Sequence, residues 1–424
     1  MTTLNNHVPL DSFYILERKG PSCPKVENLS DSIQAALYGL QVSADKLSGK
    51  RIAVTVGSRG IADLQEIVRS LCSWLKDRGA QPFIIPAMGS HGGATAEGQR
   101  ELLAEYGITE AEVGVEVRSS METVVAGTTP RGFNVYADRN AWESDGIALL
   151  ARVKPHSDYF GNVESGLLKM TAIGLGKREG ASAGHTQFWK YGFEPTIRAA
   201  SSTILASGKI LFGLAVVENE MHEIADVSAA LPDAIPALDE SKLLAARSML
   251  PRIPFQKLHM LILNEMGKNI SGTGMDLKVV GRVPGTPVDE TPAYSMIFLR
   301  DLTEESFGNA TGMGGADLIH DRFFRKIDFH KTYVNATVSL APFVGRMPMH
   351  VPSDRAAIDL SLGHLGSPEP AAQRIAWISN TLTINRIAVS SFLRDQIEAP
   401  ATWKLAEGPF PLEFDAQGDL LSPL

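Results

Sequence analysis

Apolar positions recur along the chain with two different spacings. Arg51-Ile-Ala-Val-Thr-Val56 is a short continuous apolar run, the pattern of a strand buried on both faces. Between Ala62 and Arg78 the apolar residues Leu64, Ile67, Val68, Leu71 and Leu75 fall on one helical face. Gly79 closes that helix, and Pro82-Phe-Ile-Ile-Pro86 predicts the next strand. A glycine-containing turn then leads to a helix starting at Thr95, with Glu97 and Glu101 near its positive end. Strand, helix, strand, loop, helix is the βαβ signature of a parallel sheet. Gly146–Val153 and Ile210–Val217 predict further strands of that sheet, and Pro195–Ala206 predicts another helix.

Several prolines and an alanine-rich stretch occupy Leu231–Pro254, after which Leu258-His-Met-Leu-Ile-Leu263 starts a fresh strand. A boundary near Leu250 follows. Residues 1–250 are expected to form an N-terminal α/β domain, a Rossmann-like parallel sheet with flanking helices. Residues 251–424 are expected to form a smaller C-terminal α/β domain that closes an active-site cleft. Gly274–Thr291 reads as loop, Phe307–Gly315 as a turn, and Glu407–Leu424 as a strap or loose end.

Composition narrows the function classes. Forty basic against 48 acidic side chains in 424 residues give a net charge of -8, which argues against a nucleic-acid scaffold. The two cysteines, Cys23 and Cys72, offer neither a disulfide framework nor a thiolate zinc site, so a reducing compartment is expected. The start, Met1–His7, is polar, and no run approaches the roughly 18 apolar residues of a membrane span. The expectation is a soluble cytoplasmic protein with no membrane or nucleic-acid partner.

Three histidines lie in loops marked by glycine or proline: His91 in Met88-Gly-Ser-His-Gly-Gly93, His156 in Val153-Lys-Pro-His156, and His185 in Gly184-His-Thr-Gln187. The first two follow predicted strands, and ligands of open α/β sheets gather outside the carboxyl ends of strands. Two imidazoles at separate strand ends suit a base on one face of a carbon centre and an acid on the other, as in racemisation or epimerisation. Metal-assisted hydrolysis could use them as well. Lys169, in a mainly apolar stretch, is a candidate nucleophile or covalent anchor, because burial lowers a lysine's pKa. Arg59 and Lys268 each follow the first strand of their region, where cations can hold a small anion. Gly174-Leu-Gly-Lys-Arg-Glu-Gly180 misses the dinucleotide fingerprint by one residue, and there is no Walker A sequence.

In order and context these residues resemble the nickel-pincer lactate racemase family. Gly89-Ser-His91 precedes Thr95 and Glu97; Pro155-His156 follows; then comes Lys169 in a glycine-rich apolar stretch, with His185 sixteen residues beyond it. The resemblance implies a nickel-pincer nucleotide, a pyridinium thioamide/thiocarboxylic acid mononucleotide carrying nickel, covalently anchored on Lys169 with His185 as the metal's protein ligand. It implies His91 and His156 as the paired acid/base groups, Arg59 as a substrate-binding arginine, and Lys268 as a cofactor- and substrate-binding lysine of the second domain. The implied reaction inverts the hydroxyl-bearing carbon of a 2-hydroxy acid by proton-coupled hydride transfer. The implied partners are a small-molecule substrate and the cofactor-biosynthesis enzymes that load the protein. Val56-Gly-Ser58 replaces the Asp-x-Thr that often precedes the arginine, and Asn264-Glu265 replaces a Tyr-Gln pair before Lys268. With Asn269, Ser271 and Thr273 these polar residues point to a longer, hydroxylated substrate such as an aldonate, with Glu265 among its contacts. The alternatives are a divalent-metal hydrolase or lyase using the same histidines, and a non-catalytic sugar-acid or nucleotide binding protein.

Overall fold

A computed structural model describes residues 10, 12–19, 24–58, 60–157, 159–284, 292–338, 341–398, 400–421 and 424. The protein is mixed α/β, with largely parallel sheets and flanking helices, and divides into two compact units. One is Cys23–Leu250; the other joins Met1–Ser22 to Pro251–Leu424.

In the first unit five strands lie in the order Gln81–Pro86, Arg51–Val56, Gly146–Arg152, Ile210–Glu218, Ile224–Ala230. The first four run parallel. Ile52, Val54 and Ile84 pack on one face against Ile67, Leu71 and Trp74 of helix Leu64–Lys76. Ala53, Ile85 and Leu149 pack on the other against Leu167, Ile197 and Leu243. Both faces are therefore covered, and this is why the strands read as continuous apolar runs rather than alternating ones. Helix Ala96–Glu105 starts as expected: the Thr95 hydroxyl accepts the Gly98 N–H at 3.1 Å, and Glu97 lies in the first turn.

Four features depart from the expectation. Strand Ile224–Ala230 is antiparallel to its neighbour, so the sheet is mixed rather than parallel; five of its seven residues are only partly buried, which leaves it a weak apolar signal. Helix Ile235–Ser248 occupies the proline- and alanine-rich stretch, and a two-stranded ribbon joins Thr123–Thr128 to Asn134–Asp138. Residues 1–250 are also not one unit, because strand Phe13–Arg18 belongs to the other sheet.

That second sheet has eight strands in the order Met349–Val351, Leu318–His320, Ala293–Leu302, Lys257–Met266, Ile375–Ile378, Arg386–Ser390, Phe13–Arg18, Trp403–Phe410. The first five are mutually parallel and the last three add on antiparallel. The C-terminal segment is correspondingly no loose end: Trp403–Phe410 pairs along Phe13–Arg18, and Phe414 bridges Leu420. The 307–315 turn is present, with Gly308 and Gly312 at positive φ, whereas residues 285–291 of the expected loop lie outside the described residues. Among the described residues no helix is long and apolar enough to cross a membrane.

Candidate active site

The carboxyl ends of the parallel strands in the first unit carry most of the candidate groups. Past strand Gln81–Pro86 the chain turns through Gly89, Gly92 and Gly93, all at positive φ. Gly92 is required twice over: its φ is 62°, and a Cβ there would lie 2.7 Å from the Gly98 carbonyl carbon at the start of the next helix. This turn presents His91, whose Nδ1 contacts the Ser58 hydroxyl in the loop after strand Arg51–Val56. The Tyr106 hydroxyl donates to the Ser58 carbonyl at 3.0 Å. Arg59, the next residue, lies outside the described residues.

His156 follows strand Gly146–Arg152. Its backbone N–H donates to the buried Glu164 carboxylate, which also accepts the Gly161 N–H at 3.2 Å and pairs with Arg247. Its ring lies 4.4 Å from that of Tyr159, which stacks on Phe193 at 4.4 Å and 3°. Phe193 meets Phe188 at 4.5 Å, and Phe188 meets His185 at 5.6 Å. His156 and His185 thus flank one aromatic stack. His185 sits within helix Lys177–Tyr191 rather than in the loop that its glycine neighbour predicted.

Lys169 ends a helical turn, Leu167–Lys169, that runs into a π-helical turn, Met170–Gly174. Such turns lie disproportionately at functional sites. The N–H groups of Leu167 and Leu168 both donate to Asp239, at 2.9 and 2.8 Å. Burial pushes the Asp239 carboxyl up to about 6 despite those two bonds. The Gly89 N–H donates to the Gly174 carbonyl at 3.2 Å, joining the His91 turn to the Lys169 turn. Ile173 fills the space at Gly184, where a Cβ would lie 2.6 Å from its terminal methyl. An amine and an imidazole are therefore carried on segments in direct contact. That donor set fits a group linked through a lysine and ligated by one histidine.

Lys268 and Glu265 belong to the other unit. Lys268 Nζ donates to the Gly272 carbonyl at 2.7 Å, and Glu265, at the end of strand Lys257–Met266, accepts from Asn380 at 3.3 Å. Of the polar residues read as substrate contacts, Asn264 accepts from Arg300 and Trp377, Asn269 from Thr303, and Thr273 donates to the Met275 carbonyl. These three spend polar atoms inside their own unit.

The same unit brings His320, Asp354 and Asp419 within 4.8 Å of one another. Two arginines occupy this cluster. Arg300 and Arg322 pair with Asp354 at 2.7 and 3.2 Å, and His320 accepts the Arg322 N–H on Nδ1 while Nε2 faces Asp419. The arrangement is an ion-pair network that ties the C-terminal segment to the sheet, and arginine donors stand where a cation would need lone pairs. Cys72 offers no metal ligand either: burial pushes its thiol up to about 12. Cys23 lies outside the described residues.

Glu218, which sequence reasoning missed, ends strand Ile210–Glu218 and accepts the Ala62 N–H at 2.8 Å. Burial works against its charge, but His222 at 3.9 Å, the Arg152 guanidinium and the Ala62 N–H outweigh it and hold the carboxyl at about 2. A folded-state pKa depressed from 4.5 contributes stability that is complete above about pH 4.5 and is lost as pH falls toward 2. Urea denaturation across that range should show Glu218→Gln losing this slope, about 3 kcal/mol by linkage. Parallel pH curves for wild type and variant would contradict the assignment.

The fold and this end of its sheet define an α/β protein whose candidate groups cluster outside the carboxyl ends of parallel strands. Residues 17–192 match the family model described as the lactate racemase N-terminal domain. Over that region the chain is similar to the lactate racemase family. No curated protein matches the chain. Among solved structures, a Thermotoga maritima protein is similar in fold, with 16% identity over 76% of this chain and 87% of that one and a TM-score of 0.51. The lactate racemase apoprotein from Thermoanaerobacterium thermosaccharolyticum aligns over 79% of this chain and 83% of its own, with 15% identity and a TM-score of 0.48.

Proposed function

We propose that the protein is a racemase or epimerase that inverts the hydroxyl-bearing carbon of a 2-hydroxy acid, with a nickel-pincer nucleotide held by Lys169 and His185. The observation that carries this reading is the contact between the His91, Lys169 and His185 segments inside a region that matches the racemase domain. When bound, the nucleotide supplies a hydride acceptor. The chain supplies the proton chemistry and the positioning. His91 takes the hydroxyl proton from one face and His156 returns one from the other, or the reverse for the opposite enantiomer. Ser58 orients the first imidazole; Tyr159 and the Glu164 bond to the His156 N–H orient the second. Arg59 holds the carboxylate.

A polyhydroxy acid such as an aldonate is the proposed substrate in preference to lactate, because a site built to hydrogen-bond hydroxyls discriminates strongly against analogues lacking them. Equal turnover of lactate and every sugar acid tried would remove that preference.

The test is expression alongside the pincer-biosynthesis enzymes, the loading partners this reading requires. Peptide mass spectrometry and nickel analysis should find an adduct on Lys169 and about one nickel per chain, as one anchor and one histidine ligand require. An unmodified Lys169, with a control racemase loaded normally, would overturn the cofactor assignment and favour a metal hydrolase or lyase using the same histidines.

A further inference from the structure

Behind the His91 turn lies a buried polar network that the proposed chemistry leaves unused. Lys177 opens helix Lys177–Tyr191 with φ at 52°, where non-glycine residues are uncommon, and its side chain is wholly buried. Its ammonium lies 3.1 Å from the equally buried Asp138 carboxylate, and donates to the Pro86 carbonyl and to Gln99 Oε1, the latter at 3.2 Å. Gln99, also wholly buried, donates from its amide nitrogen to the carbonyls of Gly89 at 3.0 Å and His91 at 3.1 Å. Asp138 accepts the Ala141 N–H at 3.0 Å, and its own N–H donates to the Leu175 carbonyl at 2.7 Å.

Burial pushes the Lys177 ammonium down and the Asp138 carboxyl up, each opposed by the other's charge. Apolar residues of similar volume often stabilise a core as well as such a pair does, so stability alone gives little reason for two charges here. The pair does dictate orientation. With Oε1 of Gln99 committed to the ammonium, the amide nitrogen faces the turn. That turn contains three glycines at positive φ and has much freedom to lose, so its place must be imposed from outside.

We infer that Gln99, oriented by the Lys177–Asp138 pair, is a positioning residue for His91: it grips the carbonyls on both sides of Ser90 and so sets the imidazole against Ser58. The importance of this for turnover rests on His91 being an acid/base group; the positioning itself does not.

Two variants test it. Gln99→Glu keeps an oxygen toward Lys177 but sets a second oxygen against the two carbonyls; Gln99→Met removes both interactions at similar volume. The protein, without cofactor and with 15N-labelled histidine, is read by NMR, and the His91→Ala spectrum assigns the ring. The His91 Nδ1 and Nε2 resonances should shift or split while those of His156 and the far-ultraviolet circular dichroism stay as in wild type. An unchanged His91 ring in a folded variant overturns the inference. If Gln99→Glu does not fold, Gln99→Met decides; if neither folds, the network is structural and the inference falls. In loaded enzyme the expected loss is roughly tenfold or more in kcat with KM within about twofold, since small misplacements of a reacting group are costly. Inversion that survives His91→Ala would remove the acid/base reading and leave the NMR result to judge the positioning by itself.

Discussion

His91→Ala and His156→Ala are each expected to abolish inversion while leaving the Lys169 adduct intact. A positioned proton-transfer group contributes about 10²–10⁴ in rate, and two-sided inversion needs both groups. The substitutions are clean because the surrounding bonds are made to the backbone. Gln99 grips the carbonyl of residue 91, and Glu164 accepts the N–H of residue 156, so alanine keeps both. The His91 ring loses its contact with Ser58, and the His156 ring leaves the face of Tyr159. Mass spectrometry would report loading, and a chiral assay in both directions would report turnover. Normal turnover in either loaded variant would refute that residue's role.

Asp239→Ala should be the most damaging change away from those histidines. Its carboxylate accepts both leading N–H groups of the Lys169 turn, and it lies so close that a Cβ at Gly166 would approach it to 2.6 Å. Removing it leaves two buried donors unsatisfied, a cost of roughly 2–6 kcal/mol at 1–3 kcal/mol each. Denaturation should show that loss, and Lys169 should load poorly in whatever protein folds. Asp239→Asn keeps one acceptor oxygen and should lose less. The pH dependence separates the two causes. A folded-state pKa raised from 3.8 to about 6 makes the wild-type contribution largest below pH 4 and smaller as pH rises to 6. The asparagine variant should lack that slope; finding the same slope in both would assign it to another group.

Several strands and helices of the first unit were legible because they bury one full face or both. Arg51–Val56, Gln81–Pro86, Gly146–Arg152 and Ile210–Glu218 are apolar because helices cover both sides of them, and Thr95 announced its helix because capping is a local interaction. Elements with weaker local signals were not legible. The partly buried edge strand Ile224–Ala230 has no full apolar face, and Phe13–Arg18 takes its place from partners more than 350 residues away, Arg386–Ser390 and Trp403–Phe410.

The candidate site divides along the same line. His91, His156, Lys169 and His185 could be singled out from glycine, proline and apolar context, since strand ends and tight turns leave local traces. Their supports could not. Glu164 and Asp239 are ordinary acidic residues in the sequence; only the fold buries them against the backbone of His156 and of the Lys169 turn. Lys177 stood out only as part of a glycine spacing, and Gln99 not at all, until helix packing enclosed both beneath the His91 turn. By itself the sequence determined which residue types stand at the strand ends, because backbone conformation and burial constrain each position locally. Only the tertiary structure decided which buried polar groups hold them, because such bonds join segments far apart in the chain and follow no spacing.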